Sequence, residues 1–159
     1  MLDLKLLFII IIANGAPIVA RLVFGKRYDH PVDFGLRFTD RRRLLGDSKN
    51  WGGIVSGIMI ATIGAILLGF SWNIGLIMGI WTMMGDLFSS FIKRRLGLKP
   101  SSMALGLDQI PESLFPLLAV SSILDLEWWR VLYLVLLFIA IELGLSRILF
   151  KLKIRKQPY

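Results

Sequence analysis

Asp86 stands in the run Gly85-Asp86-Leu87-Phe88-Ser89-Ser90-Phe91-Ile92-Lys93-Arg94-Arg95, at the inner end of a segment apolar enough to cross a bilayer. A carboxylate inside a membrane segment is costly unless it has a partner. Ser89, Ser90 and Lys93 follow three, four and seven residues later, on the same helical face. Asp108 and Glu112 return on the next apolar segment, four apart and so also on one face. Acids and bases meeting at one depth suit a cation and a phosphate held at the membrane surface. Carboxylate oxygens are hard ligands for Mg²⁺, which takes few of them and completes its shell with substrate phosphates and water. Two such ions can clamp a phosphoryl group during in-line displacement. The structural alternatives are plain. Asp86 pairs with Arg21, Arg147 or Lys93 between helices, and Asp108 is an N-cap, with Pro111 tolerated in the first turn.

A second polar stretch, Asp40-Arg41-Arg42-Arg43-Leu44-Leu45-Gly46-Asp47-Ser48-Lys49-Asn50-Trp51-Gly52-Gly53, runs straight into another apolar segment. Asp47 or Ser48 is placed to cap that helix. Its first N–H groups, bared by Gly52 and Gly53, suit phosphate oxygens, and Arg41, Arg42, Arg43 and Lys49 add charge-assisted donors. Taken alone, the triple arginine reads better as a polybasic anchor on anionic lipid. Gly46, Asp47 and Lys49 are not needed for that. Neither G-x-x-x-x-G-K-[ST] nor a strand-borne G-x-G-x-x-G is present, so a nucleotide must be held another way.

The elements that position these residues are apolar helices. The 159-residue chain is 55% hydrophobic, with a mean hydropathy of +0.68, too apolar for an ordinary soluble domain. It reads as one all-α integral membrane domain over residues 1–159. Five transmembrane helices are expected, at Leu4–Phe24, Trp51–Phe70, Asn73–Ile92, Gln109–Leu124 and Trp129–Phe150, each near the ~20 residues that span ~30 Å of hydrocarbon. The fourth is the weakest, short and holding Pro111 and Pro116. Asn14 and Pro17 mark a polar kink in the first; Asn14 either lines a cavity or makes a helix-packing hydrogen bond. Small-residue spacings at Gly53/Gly57 and Gly75/Gly79, with Gly64, predict close helix contact. Trp51, Trp72, Trp128 and Trp129 fall at expected interfaces. Glu142 and Arg147 in the last segment read as structural neutralisation.

The charges between segments assign a topology. Basic residues fill Gly25–Asn50, the stretch from Lys93 to Lys99 and the tail from Lys151. The Ser71–Trp72 turn holds no charge, and the Asp125–Trp129 turn holds two acids. Basic and nonbasic connections alternate, which places the N-terminus outside and the C-terminus in the cytoplasm of a plasma or inner membrane, with the site facing the cytoplasm. Read as a cleaved signal peptide, the first segment would be unusually long, lacks a clear A-x-A site and holds Asn14 and Pro17. The net charge of +8 is accounted for by anionic headgroups, and no nucleic-acid-binding motif is present. Absent cysteine and a single histidine, His30, exclude thiolate and His-rich metal sites.

Gly85-Asp86 through Ser90, then Lys93-Arg94-Arg95-x-Gly97, Pro100 and Asp108-Gln109, resemble the signature of the membrane cytidylyltransferases, and most closely that of the CDP-archaeol synthase family, related to CDP-diacylglycerol synthase. Asp40-x-Arg42-Arg43-Leu44-Leu45-Gly46-Asp47-x-Lys49-x-Trp51-x-Gly53 and Asn14-x-x-Pro17 resemble the archaeol enzymes too, so the likeness spans nearly the whole chain. It implies a five-helix, Mg²⁺-dependent enzyme that joins CTP to a lipid phosphate within the membrane and releases pyrophosphate. The archaeol enzymes act on an unsaturated ether lipid bearing a glycerol 1-phosphate head. Carried over by position, Asp86 and Asp108 hold metal and Lys93 and Arg94 meet phosphates. Asp47 and Lys49 belong to the nucleotide site, with Arg43, Ser89 and Ser90 beside it. A homo-oligomer is compatible with this reading. The chain departs from the family in three places. Glu112 stands where a second aspartate is usual, Ser101 follows Pro100 in place of glycine, and Lys49-Asn50 replaces lysine-threonine.

Two other function classes fit the same residues. A small carrier of an anionic lipid or metabolite would use the intramembrane carboxylates as proton or cation sites; a proline-broken helix suits it, but no inverted repeat is seen. A binding homologue without turnover is prompted by the altered Asp108–Glu112 run.

Overall fold

A computed structural model describes residues 1–25, 30–98, 102 and 104–151. The basic residues Lys26 and Arg27, the Lys99-Pro100-Ser101 motif positions and the tail from residue 152 lie outside this set. Five helices follow one another up and down: α1 (Leu2–Phe24), α2 (Trp51–Leu67), α3 (Trp72–Arg95), α4 (Gln109–Ser121) and α5 (Trp128–Lys151). Among the described residues there is no strand, only isolated bridges between Pro31 and Asn50 and between Arg37 and Arg43.

Three helices, α1, α3 and α5, are long and apolar enough to cross a membrane. α2 has 17 residues and α4 has 13; at ~1.5 Å per residue α4 extends only about 20 Å. The expected fourth span is therefore short by itself, and its polar first turn starts well inside the bundle. α2 stops early for a local reason. Gly69 adopts φ 83°, its N–H donates to the Ile66 carbonyl and the Phe70 N–H to the Ala65 carbonyl. This is a Schellman ending, which favours glycine at the left-handed position. α3 ends likewise, with Gly97 at φ 75°, Gly97 N–H on the Arg94 carbonyl and Leu98 N–H on that of Lys93.

The bundle has two unlike ends. The dry core is made of Leu6, Ile9, Ile10 and Ala13 of α1, Ala61 and Ala65 of α2, Met78 of α3, Val120 of α4, and Leu134 and Phe138 of α5. These lie near the starts of α1, α3 and α5 and the ends of α2 and α4. Lys5 donates to the Leu68 carbonyl at 2.7 Å and Arg130 pairs with Asp3 at 2.7 Å, closing that end. The buried polar residues Ser89, Ser90, Lys93, Arg94, Asp108, Gln109, Glu112 and Ser113 gather at the other end. Hydrophobic burial does not separate helices from lipid tails, so close packing must hold them together. A Cβ on Gly75 would stand 2.7 Å from Thr62 Cα, and one on Gly79 2.8 Å from Ile58 Cα, so α2 and α3 touch backbone to backbone. Pro17 of α1 packs against Gly53 of α2. Asn14 Nδ2 is buried without a hydrogen-bond partner among the described residues, so this nitrogen does not supply the helix-packing bond that is one of the two roles expected of Asn14.

The loop between α1 and α2 folds over the end of α3. Arg42 Nη1 donates to the carbonyls of Arg94 and Arg95 at 3.3 and 2.9 Å, and so caps α3. The Arg95 guanidinium lies over the rings of Phe38 and Phe91 at 4.8 and 5.0 Å, pairs with Asp40 at 3.3 Å and donates to the Arg43 carbonyl. The polybasic stretch is thus partly a fastening. Trp51, Trp72, Trp128 and Trp129 are all exposed at helix starts, as their interfacial reading requires.

Candidate functional site

The polar end is assembled around one close approach. A Cβ on Gly85 would lie 2.3 Å from the Pro111 carbonyl oxygen and 2.8 Å from the Glu112 nitrogen. Only a bare Cα lets the first turn of α4 rest on α3 at this level, one residue from Asp86.

Two aspartates from neighbouring helices each face a lysine. Lys49 Nζ reaches both carboxylate oxygens of Asp86, at 2.5 and 2.6 Å. Lys93 Nζ stands 2.6 Å from Asp108 Oδ1 and donates to the Ser102 carbonyl at 3.0 Å. The Asp86 partner is therefore neither Arg21, Arg147 nor Lys93 but a lysine from the α1–α2 loop. Burial works against the Lys49 ammonium. The touching Asp86 carboxylate and the farther charges of Glu112 and Asp108 outweigh it and hold its pKa above the ordinary lysine value. Glu112 is buried in the first turn of α4, and its backbone nitrogen lies against Gly85, the residue before Asp86.

Asp108 occupies the N-cap position of α4, but its side chain caps nothing there. Its Oδ2 accepts the Ala104 N–H at 2.9 Å, which shapes the preceding turn and aims the carboxylate at Lys93. The cap expected of Asp47 or Ser48 belongs to Asn50, whose Oδ1 accepts the Gly53 N–H at 2.7 Å. A residue with a side-chain oxygen stands at each of the three positions; only Asn50 immediately precedes the first turn.

Arg94 is buried and lies beside Gly46, within 3.7 Å of where a Cβ there would be. Ser89 donates back to the Asp86 carbonyl of its own helix at 2.9 Å, and Ser90 is buried next to it. Arg43 lies between Asp33 at 2.8 Å and Asp47 at 2.9 Å. The Asp47 side chain is 76% exposed, which leaves it on the open rim.

Among the described residues, no three His, Cys, Asp or Glu side chains are gathered to hold an ion unaided. The donor set nevertheless suits Mg²⁺. Asp86, Asp108 and Glu112 supply hard oxygens, and the first two are already faced by cationic groups. Mg²⁺ binds through one or two carboxylates and relies on substrate phosphates for the rest. The residues fit an ion that arrives with phosphate, not a protein-only cage.

Sequence reasoning missed Asp33. Its side chain is fully buried and accepts N–H bonds from Gly35, Leu45 and Gly46 at 3.1, 3.1 and 3.2 Å. Asp-x-Gly is an Asx-turn pattern, and that was the available signal. Burial raises the pKa of the Asp33 carboxyl, but the Arg43 guanidinium and those three backbone donors hold it down at about 2. A folded pKa below the unfolded 3.8 stabilises the fold above pH ~4, by about 2 kcal/mol. That contribution is lost as pH falls from about 4 to about 2. Acid melts in detergent should show the loss in the wild type and lack it in Asp33→Asn; superposable pH profiles would disprove it.

A groove of ≈ 340 Å³ lined by Trp81, Phe115, Leu118 and Ala119 opens between α3 and α4. Phe115 packs edge-on to Trp81 and tilted on Phe88. Trp81 precedes Asp86 by about 7.5 Å of helix rise.

A family model described as CarS-like, CDP-archaeol synthase, matches residues 1–74 and 67–159. A CDP-archaeol synthase of Sulfurisphaera tokodaii is 35% identical over 156 residues, covering 94% of this chain and 90% of that protein. One of Saccharolobus islandicus is 33% identical, covering 93% and 89%. One of Thermofilum pendens is 38% identical over 104 residues, which cover 62% of this chain and about half, 51%, of that protein. A solved structure described as an intramembrane enzyme for archaeal membrane lipid biosynthesis superposes with a TM-score of 0.71 at 30% identity, covering 89% of this chain and 90% of its own.

Proposed function

The chain belongs to the CDP-archaeol synthase family, and on that premise we propose that it transfers CMP from CTP to an archaeol-type lipid phosphate at the cytoplasmic face of the cell membrane. An oxygen of the lipid phosphate attacks the α-phosphorus of CTP, the bond from that phosphorus to the bridging oxygen breaks, and pyrophosphate leaves. The nucleophile is already anionic, so no protein base is needed. The protein must relieve repulsion between two polyanions and align them.

The observation that carries this reading is the pair of lysine–aspartate contacts, Lys49–Asp86 and Lys93–Asp108, from three chain segments at one end of the bundle. Asp86 and Asp108, with Glu112, are the residues that would hold Mg²⁺, which supplies charge neutralisation to the transferring phosphoryl group. Lys93 and Arg94 from α3 orient phosphate oxygens, and Lys49 with Asp47 forms the nucleotide side. Ser89 and Ser90 line the α3 wall. Arg43 contributes through the shape of the loop. The groove at Trp81 and Phe115 takes an isoprenoid chain and sets the lipid phosphate at the level of Asp86. Five spans with the N-terminus outside would put the polar end in the cytoplasm, in keeping with the basic connections there.

The test is purified protein in detergent with labelled CTP, Mg²⁺ and a panel of lipid phosphates. A labelled CDP-lipid and pyrophosphate are expected in equal amounts, with archaeol-type phosphate the preferred acceptor. CTP-dependent thermal stabilisation without any labelled lipid would replace the enzyme by a binding homologue.

A further inference from the structure

We propose that Asp33 is a positioning residue for the nucleotide side of the site: it holds the turn Leu45–Lys49 in the one shape that delivers the Lys49 ammonium to Asp86. This rests on the reading of Asp47 and Lys49 as nucleotide-site residues.

Asp33 is not a ligand. Its side chain is fully buried and its acceptor sites face protein donors. Oδ1 takes the Gly35 N–H at 3.1 Å and Arg43 Nη2 at 2.8 Å. Oδ2 takes the N–H groups of Leu45 and Gly46 at 3.1 and 3.2 Å, with Arg43 Nε at 3.4 Å. A carboxylate that accepts several backbone N–H groups and a guanidinium fixes a loop firmly.

The bonds fall where the turn most needs an external hold. Gly46 sits at φ 98°, a conformation with little local preference to sustain it. The Gly46 carbonyl then accepts the Lys49 N–H at 3.3 Å, and the Lys49 carbonyl accepts the Val32 N–H at 2.9 Å. The neighbouring residues Val32 and Asp33 therefore grip the turn at both ends. Asp33 also orients Arg43, which holds Asp47 at 2.9 Å. Both residues assigned to the nucleotide reach their places through this one buried carboxylate. A lysine ammonium is a point charge on a flexible stem, so the backbone turn decides where it can go.

Asp33→Asn keeps the shape of the side chain and replaces an acceptor by an amide that confronts N–H donors. We expect the KM for CTP to rise about tenfold or more, the KM for lipid phosphate to stay within about twofold, and a cooperative melt in detergent to persist. Lys49→Met, measured alongside, should raise the CTP KM as well. If Lys49→Met raises it and Asp33→Asn leaves it at the wild-type value, Asp33 is only structural and the inference is overturned. If neither variant moves it, the nucleotide-site reading fails and this inference with it. Should Asp33→Asn not fold, Gly46→Ala disturbs the same turn. A Cβ there meets nothing closer than 3.7 Å, so only the backbone is strained. The same CTP-selective rise is expected, and wild-type CTP affinity in Gly46→Ala would refute the proposal.

Discussion

Asp86→Asn is expected to reduce CMP transfer by at least about 100-fold while leaving a folded protein. The substitution removes a charge and one acceptor but almost no volume. Lys49, which meets Asp86 at 2.5 Å, then faces a neutral amide. Its side chain is 22% exposed, so water can take over part of its solvation and the cost to stability should be near ~1 kcal/mol. Catalysis has no such substitute, because the charge that helps to hold a cation against two phosphates is gone. Adding Lys49→Met should restore the melting temperature without restoring transfer, which separates the structural pair from the chemistry. Asp108→Asn should behave similarly through Lys93. Full turnover in both single variants would remove these carboxylates from the site.

The second large effect is expected at a residue with no functional group. Gly85→Ala puts a Cβ 2.3 Å from the Pro111 carbonyl oxygen. Neither backbone can yield locally, so α4 must shift by about 1 Å, at an overpacking cost of ~1–3 kcal/mol. The shift moves Asp108 and Glu112 relative to Asp86. Misplacement of that size is enough for a rate loss of ~100-fold. The loop carrying Lys49 does not rest on Gly85, so kcat should fall much more than the KM for CTP rises. A kcat within twofold of wild type would show that the spacing of α3 and α4 is not critical.

The five helices were legible in order because long apolar runs separated by charge need no tertiary information. Their ends were less so. α2 and α4 stop three residues before the expected Phe70 and Leu124; α2 does so because Gly69 turns the chain, and apolarity says nothing of a left-handed glycine. The acids of α3 and α4 were recognisable because an intramembrane carboxylate is anomalous wherever it stands. The partner of Asp86 was not. Periodicity along a helix points to Lys93, whereas Lys49 arrives from a loop whose shape depends on Asp33, and no helical spacing encodes that. Gly85 illustrates a different limit. Its place in the signature was noted, but its reason, the bare contact with Pro111, exists only between two helices.

The arginines of the α1–α2 loop bear on how the protein meets its bilayer. Arg42 is spent on helix-end carbonyls and Arg43 on Asp33 and Asp47, while Arg95 of α3, which the loop covers, lies between two phenyl rings and Asp40. These three guanidinium groups are held by protein partners and so do not serve as fastenings for acidic headgroups. Among the described residues of this loop, the arginines not held in this way, Arg37 and Arg41, are exposed. Replacing Arg42 or Arg43 should thus loosen this loop more than it alters any preference for anionic bilayers, and the arginine-rich segment behaves as internal carpentry more than as an electrostatic tether.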